Sequence, residues 1–466
     1  MSERRSNWTL AAFAAPCLPM AGLGLPLVVY LPEFFASELG LGLAAVSAAF
    51  GAVKLLDMAF DPIIGTVMDG TRSRFGRFRP WLVAGTPLLM LATVMLFMAR
   101  PGVNSTYLWT WLLVLYAGVS ITTLSQVAWG AAISTEYNQR SRVYGWWQGG
   151  NVVGMILVLT LPAALPFFGV KGHAQAVAAM GWFVVLLLPL AVALAVSRVP
   201  EPVAPVLKTR TNIVEYFKLM VRPNVARLLA IDFLVGTGPA ITGALFFFFF
   251  ARAKGFEKST ASQLLLIYFL GGLLGAPIWT WLAQRIGKHR ALTVSSLCYA
   301  AVSLVAWLIP GRDFAMGALT MVTAGITYSA GGFLLRAMMA DVGDEVRLET
   351  GAERTALLYA MLSGTLKAGS AIAVIVTFSL LAQMGFDPKA KVGDAGVHGL
   401  MLMFTLAPAS LAVLAAALAA GFPLHAHRHG EIRAALAERD LVEAAPEMGQ
   451  EPRFAEEIHP ISPAAE

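Results

Sequence analysis

Apolar runs about twenty residues long recur along nearly the whole chain, and that recurrence excludes most architectures. A helix of that length matches the hydrocarbon thickness of a bilayer. Inside lipid every backbone N–H and C=O needs an internal partner, so such runs must be helical. Of 466 residues 57% are hydrophobic and only 13% are charged, about half the charged share of ordinary soluble domains. The chain reads as an all-α membrane protein. Twelve spans are expected, near 9–35, 42–69, 81–100, 106–135, 144–169 and 177–198, then 225–252, 259–285, 290–310, 313–340, 352–385 and 396–422.

Basic residues mark alternate connections: Arg4 and Arg5, the cluster from Arg72 to Arg79, Arg140 and Arg142, then Lys208, Arg210, Lys218 and Arg222, Arg285, Lys288 and Arg290, and Arg347 and Arg354. The positive-inside bias puts that side and both termini in the cytoplasm. These loops account for the formal charge of +6, so no nucleic-acid partner is expected. The basic, proline-containing connection 199–224 separates a six-span half (1–198) from a second (225–422). A polar cytoplasmic tail (423–466) follows, with one short helix over Gly430 to Ala445. Gly76-Arg77-Phe78-Arg79 after span two returns as Gly287-Lys288-His289-Arg290 after span eight. Related turns at equivalent places in two halves are the mark of a parallel-repeat transporter. Cys17 and Cys298 sit in apolar runs and read as single thiols. No His, Cys or Ser–His grouping resembles a catalytic set, so neither enzyme activity nor a resident cofactor is expected.

Span two carries the most specific chemistry. Asp57 and Asp61 stand one helical turn apart, on one face of an apolar helix, with Lys54 three residues earlier. A lone charge there costs roughly 2.5–3.5 kcal/mol on insertion scales. Two carboxylates in low dielectric repel, so at least one must bind a cation or hold a proton. The functional reading is a site for Na+ or H+; the alternative is a structural ion pair with Lys54 and a distant lysine. That lysine is Lys367 of span eleven, expected to face the two acids. Span four offers Thr122, Thr123, Ser125, Gln126 and Trp129, and span five Trp146, Trp147, Gln148 and Asn151. Hydroxyls and amides suit a cation shell or a solute, and an indole suits a sugar ring. Asp232 of span seven is a further cavity candidate. Asp69, Arg77, Arg140, Arg142, Arg336, Asp341 and Arg354 lie near span ends. They are read as ion pairs between the halves or, equally, as solvated helix ends.

Asp61-Pro-Ile-Ile-Gly-x3-Asp69-x-Thr-Arg-Ser-Arg-Phe-Gly-Arg-Phe-Arg-Pro-Trp81 resembles the helix-two signature of the glycoside–pentoside–hexuronide:cation symporters. These form the melibiose-permease-like branch of the major facilitator superfamily. Ala340-Asp341-Val342-x-Asp344, Thr350-Gly351 with Arg354, and Lys367 before a small-residue run are similar too. The resemblance implies the twelve-helix major facilitator fold in a bacterial inner membrane. It implies cation roles for Asp57, Asp61, Thr122 and Lys367, and a stacking role for Trp129. It also marks departures. The family's sugar-coordinating acids fall at Ala21 and Ser125, and its helix-five arginine has no counterpart between Trp146 and Asn151. The implied activity is symport of a small organic solute with Na+ or H+, with a sugar or sugar derivative as first candidate. A lysolipid-like solute is the alternative. Solute, coupling cation and bilayer are the expected partners, and monomer is the default state for this fold.

Overall fold

The computed structural model describes residues 6–448, apart from residues 25, 42, 72, 135, 166–172, 202–212 and 386–393. Arg4, Arg5, Arg72, Lys208 and Arg210 fall outside the described residues, as does the side chain of Lys54. All regular structure among the described residues is helical.

The first crossing segment is broken. α1 (Asn7–Ala14) begins at Ser6, whose hydroxyl caps it by accepting the Thr9 N–H at 3.2 Å. Pro16 then separates it from α2 (Cys17–Gly22). Two π turns, Pro26–Tyr30 and Phe34–Glu38, flank the three-residue α3 (Leu31–Glu33). Such breaks are tolerated in a membrane where neighbouring helices re-satisfy the backbone. α4 (Leu43–Asp69), α5 (Arg79–Phe97), α6 (Ser105–Ile133), α7 (Tyr137–Ala164) and α8 (His173–Arg198) complete the first half. The short α9 (Ile213–Met220) precedes the second half, built from α10 (Pro223–Phe248), α11 (Lys258–Ile286), α12 (Lys288–Val305), α13 (Phe314–Thr350), α14 (Thr355–Gln383) and α15 (Asp394–Ala420). α16 (Ala426–Met448) closes the described chain. Among the described residues nine helices are long and apolar enough to cross a membrane.

The halves meet along two seams, α4 against α14 and α7 against α11 and α13. Gly65 makes the first seam close: a Cβ there would stand 2.9 Å from the Ala356 carbonyl. One apolar core runs from the first half into the basic-loop end of the second, and it takes in Ile432 and Leu436 of α16. A separate core around Phe249, Phe250 and Phe404 fills the far end of the second half. The Gly-basic turns repeat in geometry as well as sequence, since Gly76 and Gly287 have φ of 107° and 92°. Only glycine holds that backbone without strain.

Three expectations need correction. Span five was expected from residue 144, yet α7 begins at Tyr137; span ten was expected to end at 340, yet α13 runs to Thr350. Hydropathy ends where charges begin, but these helices continue past the apolar slab because their charged turns find buried partners. The tail helix is longer than expected and is docked, with His429, Ile432 and Leu436 buried.

Candidate functional site

α4 presents Asp57 and Asp61 toward α14 and α6, and both are almost fully buried. Lys367 of α14 reaches between them. Its Nζ donates to Asp57 Oδ2 and, at 2.7 Å, to Asp61 Oδ2. Ser120 of α6 donates to Asp57 Oδ1 at 2.7 Å, and Ser363 of α14 donates to Asp61 Oδ2 at 2.8 Å. Asp61 Oδ1 is buried without a partner among the described residues. Two carboxylates and one ammonium leave one net negative charge and an orphaned acceptor in low dielectric, where an unmet charge is costly. Pro62 adds to the polarity, because it has no N–H to offer the carbonyl one turn back at position 58. The donor set fits a small monovalent cation: hard oxygen ligands with one charge to neutralise.

Around this pair the expected residues divide. Thr122 is buried, but its hydroxyl donates to its own helix, at the Gly118 carbonyl (2.8 Å). The α6 hydroxyl that reaches the acids is Ser120, which the sequence reading missed. Ser125 likewise bonds the Thr122 carbonyl at 3.0 Å. Gln126 donates to the Phe13 carbonyl at 2.9 Å and so ties α6 to α1. Trp129 is 0% exposed, edge-on to Phe13 and beneath the Arg79 guanidinium. In this conformation it is a packing residue. Ala21 is half-buried in α2 and offers no polar side-chain atom. Asn151 donates to the Trp147 carbonyl at 2.8 Å. Asp232 of α10 is buried and accepts from Thr365 of α14 at 2.7 Å.

The basic-loop end is shut by charge. Arg140 of α7 sits 3.0 Å from Asp341 Oδ1 and 2.8 Å from Asp344 Oδ2, both on α13 in the other half. Lys288, 0% exposed, holds Asp341 Oδ2 at 2.5 Å and lies over the Tyr137 ring of α7. His429 of α16 adds a contact of 2.9 Å to Asp344, and its Nε2 lies 3.3 Å from Arg140 Nη1. Asp69 accepts the Ala356 and Leu357 N–H groups at 2.9 and 2.8 Å, so the last residue of α4 caps α14 of the opposite half. Arg77 pairs with Asp69. Arg354 is buried beside this cap. Arg142 bonds Gln139 and Asn7 of its own half. One gating expectation is corrected: Arg336 lies deeper than the ion pairs, over the Trp147 ring at 4.4 Å. Lys288, His429 and Glu201, whose carboxylate accepts the Arg77, Phe78 and Arg79 N–H groups at 2.6–3.1 Å, were not anticipated.

Two buried carboxylates and an ammonium between two helical halves, shut at one end by cross-half ion pairs, are the arrangement of a carrier. The sequence pattern described as MFS/sugar transport protein matches residues 12–426. The chain belongs to that family. It has the twelve-helix major facilitator fold and is a membrane transporter rather than an enzyme. It is 25% identical over 403 residues to the uncharacterized symporter YnaJ of Bacillus subtilis, covering 83% of this chain and 85% of the relative. It is 23% identical over 402 residues to the isoprimeverose transporter of Lactiplantibacillus pentosus, covering 82% and 81%. The solved Escherichia coli fucose:proton symporter superposes with a TM-score of 0.67 at 12% identity, covering 90% of this chain and 98% of that one.

Proposed function

We propose that the chain is a cation-coupled symporter of a sugar or sugar derivative, with Na+ or H+ exchanging at Asp57 and Asp61. The observation that carries this is the ammonium of Lys367 held between two buried carboxylates, one of which keeps an oxygen with no partner among the described residues. Lys367 neutralises one acid while the coupling cation is away. When the cation arrives at the acids, it competes with the ammonium and frees it to reorient. Because α4 and α14 belong to opposite halves, that exchange acts on their seam. Each ligand then raises the other's affinity by the same factor. The loaded halves rock about the buried site and open the basic end.

The orientation follows the positive-inside bias. The closed basic end and both termini face the cytoplasm, in a bacterial inner membrane. One chain carries every residue this cycle uses, so the monomer is the proposed transport unit, with no resident cofactor and no nucleic-acid partner. Membership of a sugar-transport family and an isoprimeverose-carrying relative favour a sugar over the lysolipid-like alternative.

The test is uptake into proteoliposomes under an imposed Na+ or H+ gradient, with isoprimeverose, lactose, raffinose and fucose as probes. The wild type should accumulate at least one sugar under one of the gradients. Asp61→Asn should lose gradient-driven accumulation and keep sugar exchange. Accumulation at the wild-type level by Asp61→Asn would remove the coupling role.

A further inference from the structure

Five polar or aromatic side chains from five helices lie in the interior stretches of their helices. Counted from the basic end of its helix, Asp232 is 9 residues from Pro223 and Trp147 is 10 from Tyr137. Asp57 is 12 from Asp69, Lys367 is 12 from Thr355 and Arg336 is 14 from Thr350. At helical rise these offsets correspond to about 13–21 Å. The coupling pair accounts for Asp57 and Lys367. The other three form a second group.

Arg336 and Asp232 carry opposite charges on neighbouring helices of one half, and α10 packs against α13. Val235 of α10 packs on Gly331 of α13, which brings Asp232 and Arg336, each further toward the basic end of its helix, to neighbouring levels, yet the two form no ion pair among the described residues. Each is partly satisfied by something else. Arg336 Nη1 donates to the Gly332 carbonyl, and its guanidinium plane covers the Trp147 ring. Nε and Nη2 have no acceptor among the described residues. Asp232 Oδ2 accepts from Thr365, while Oδ1 has no donor among the described residues. Gln148 packs on Gly332, where a Cβ would stand 2.7 Å from its Oε1. Its amide makes no described hydrogen bond.

Opposite charges on neighbouring helices that are not paired with each other favour a group able to serve both. A hydroxyl does so: it donates to the carboxylate and accepts from the guanidinium. An acyl chain does neither. In the first half Ala21 offers no polar side-chain atom, and the Ser125 hydroxyl is spent on its own helix.

We propose that Asp232 and Arg336 are the solute-recognition pair of this carrier. Vicinal hydroxyls of a sugar bridge the two charges, and Gln148 and Trp147 border the ring from the opposite half. Recognition thus lies mainly in the second half. A sugar seated there touches both halves, while the cation pair lies on the seam beside it. This assignment rests on the sugar-symport reading above.

The experiment uses the full-length chain in proteoliposomes. Counterflow is measured with whichever of isoprimeverose, lactose, raffinose and fucose the wild type accumulates, and with its monodeoxy analogues. Asp232→Asn and Arg336→Gln should each raise the half-saturating sugar concentration about 10- to 100-fold, the effect of losing a charged hydrogen-bond partner in a buried site. Arg336→Lys should not restore it, because an ammonium lacks the planar fork. One deoxy analogue should bind weakly to the wild type and lose little further in Asp232→Asn, a coupling that a purely structural role would not produce. Cation affinity, read without sugar from the cation-dependent change in tryptophan fluorescence, should stay within about threefold. Unchanged sugar affinity in either variant overturns the assignment, and so does equal loss of sugar and cation binding. If the wild type neither accumulates nor exchanges any probe sugar, the symport reading itself fails and the pair's role goes with it.

Discussion

Replacing Arg140 by Gln should open the basic end. The guanidinium contacts Asp341 and Asp344 at 3.0 and 2.8 Å, and the three side chains are 3%, 2% and 11% exposed. Removing one partner of a buried ion pair costs about 3–5 kcal/mol, because the remaining charge stays dehydrated. Here Lys288 still holds Asp341 at 2.5 Å and His429 still meets Asp344 at 2.9 Å, so the lower end, about 3 kcal/mol, applies. Arg140 and the two carboxylates belong to opposite halves. The penalty therefore falls on the closed state and is relieved once the halves part and water reaches the acids. At about 1.4 kcal/mol per factor of ten, the closed-to-open ratio should fall about 100-fold. Spin labels at Asn138 of α7 and Arg290 of α12, both exposed, report the gap. Cys17 and Cys298, the free thiols, are replaced first. Arg140→Gln should shift the distance distribution to a longer population. A distribution for Arg140→Gln that superimposes on the parent would refute the reasoning.

Three further outcomes are expected. Ser120→Ala removes the 2.7 Å donor to Asp57 and should raise the half-saturating cation concentration about tenfold or more in transport assays. Thr122→Val, whose hydroxyl serves its own backbone, should change it less than about threefold. Asp69→Ala deletes the cross-half cap of α14 and should favour the open basic end by about 1–2 kcal/mol, read with the same label pair. Trp129→Ala should lower stability by about 3–5 kcal/mol in thermal unfolding while leaving sugar half-saturation near the parent value, since its ring is sealed among Phe13 and Arg79.

Charge in hydrocarbon was the legible part of the sequence. Asp57, Asp61 and Lys367 each demand a partner, and the only economical arrangement brings them together, as the structure does. Which hydroxyl of α6 serves them was not legible. Ser120 and Thr122 differ by two positions on one polar helix, and whether a hydroxyl turns outward or back onto its own carbonyl is a rotamer choice. Arg336 was misplaced for a different reason. It stands before a run of charges that looks like a helix end, yet α13 continues to Thr350 and leaves it deep in the bundle. The docking of α16 was hidden by composition. Its tail is polar, but His429, Ile432 and Leu436 fall at i, i+3 and i+7, one stripe of a helix, and that spacing was the available signal.

The last described helix has a practical consequence. Its His429 touches Asp344 of one half and Arg140 of the other, and Asp440 reaches Arg347 at 2.8 Å. Every turnover has to peel this strap from at least one bundle. Purification handles or fluorescent fusions added behind it would load the strap and alter turnover, so rates measured on such fusions should be compared with those of a chain tagged at the other terminus.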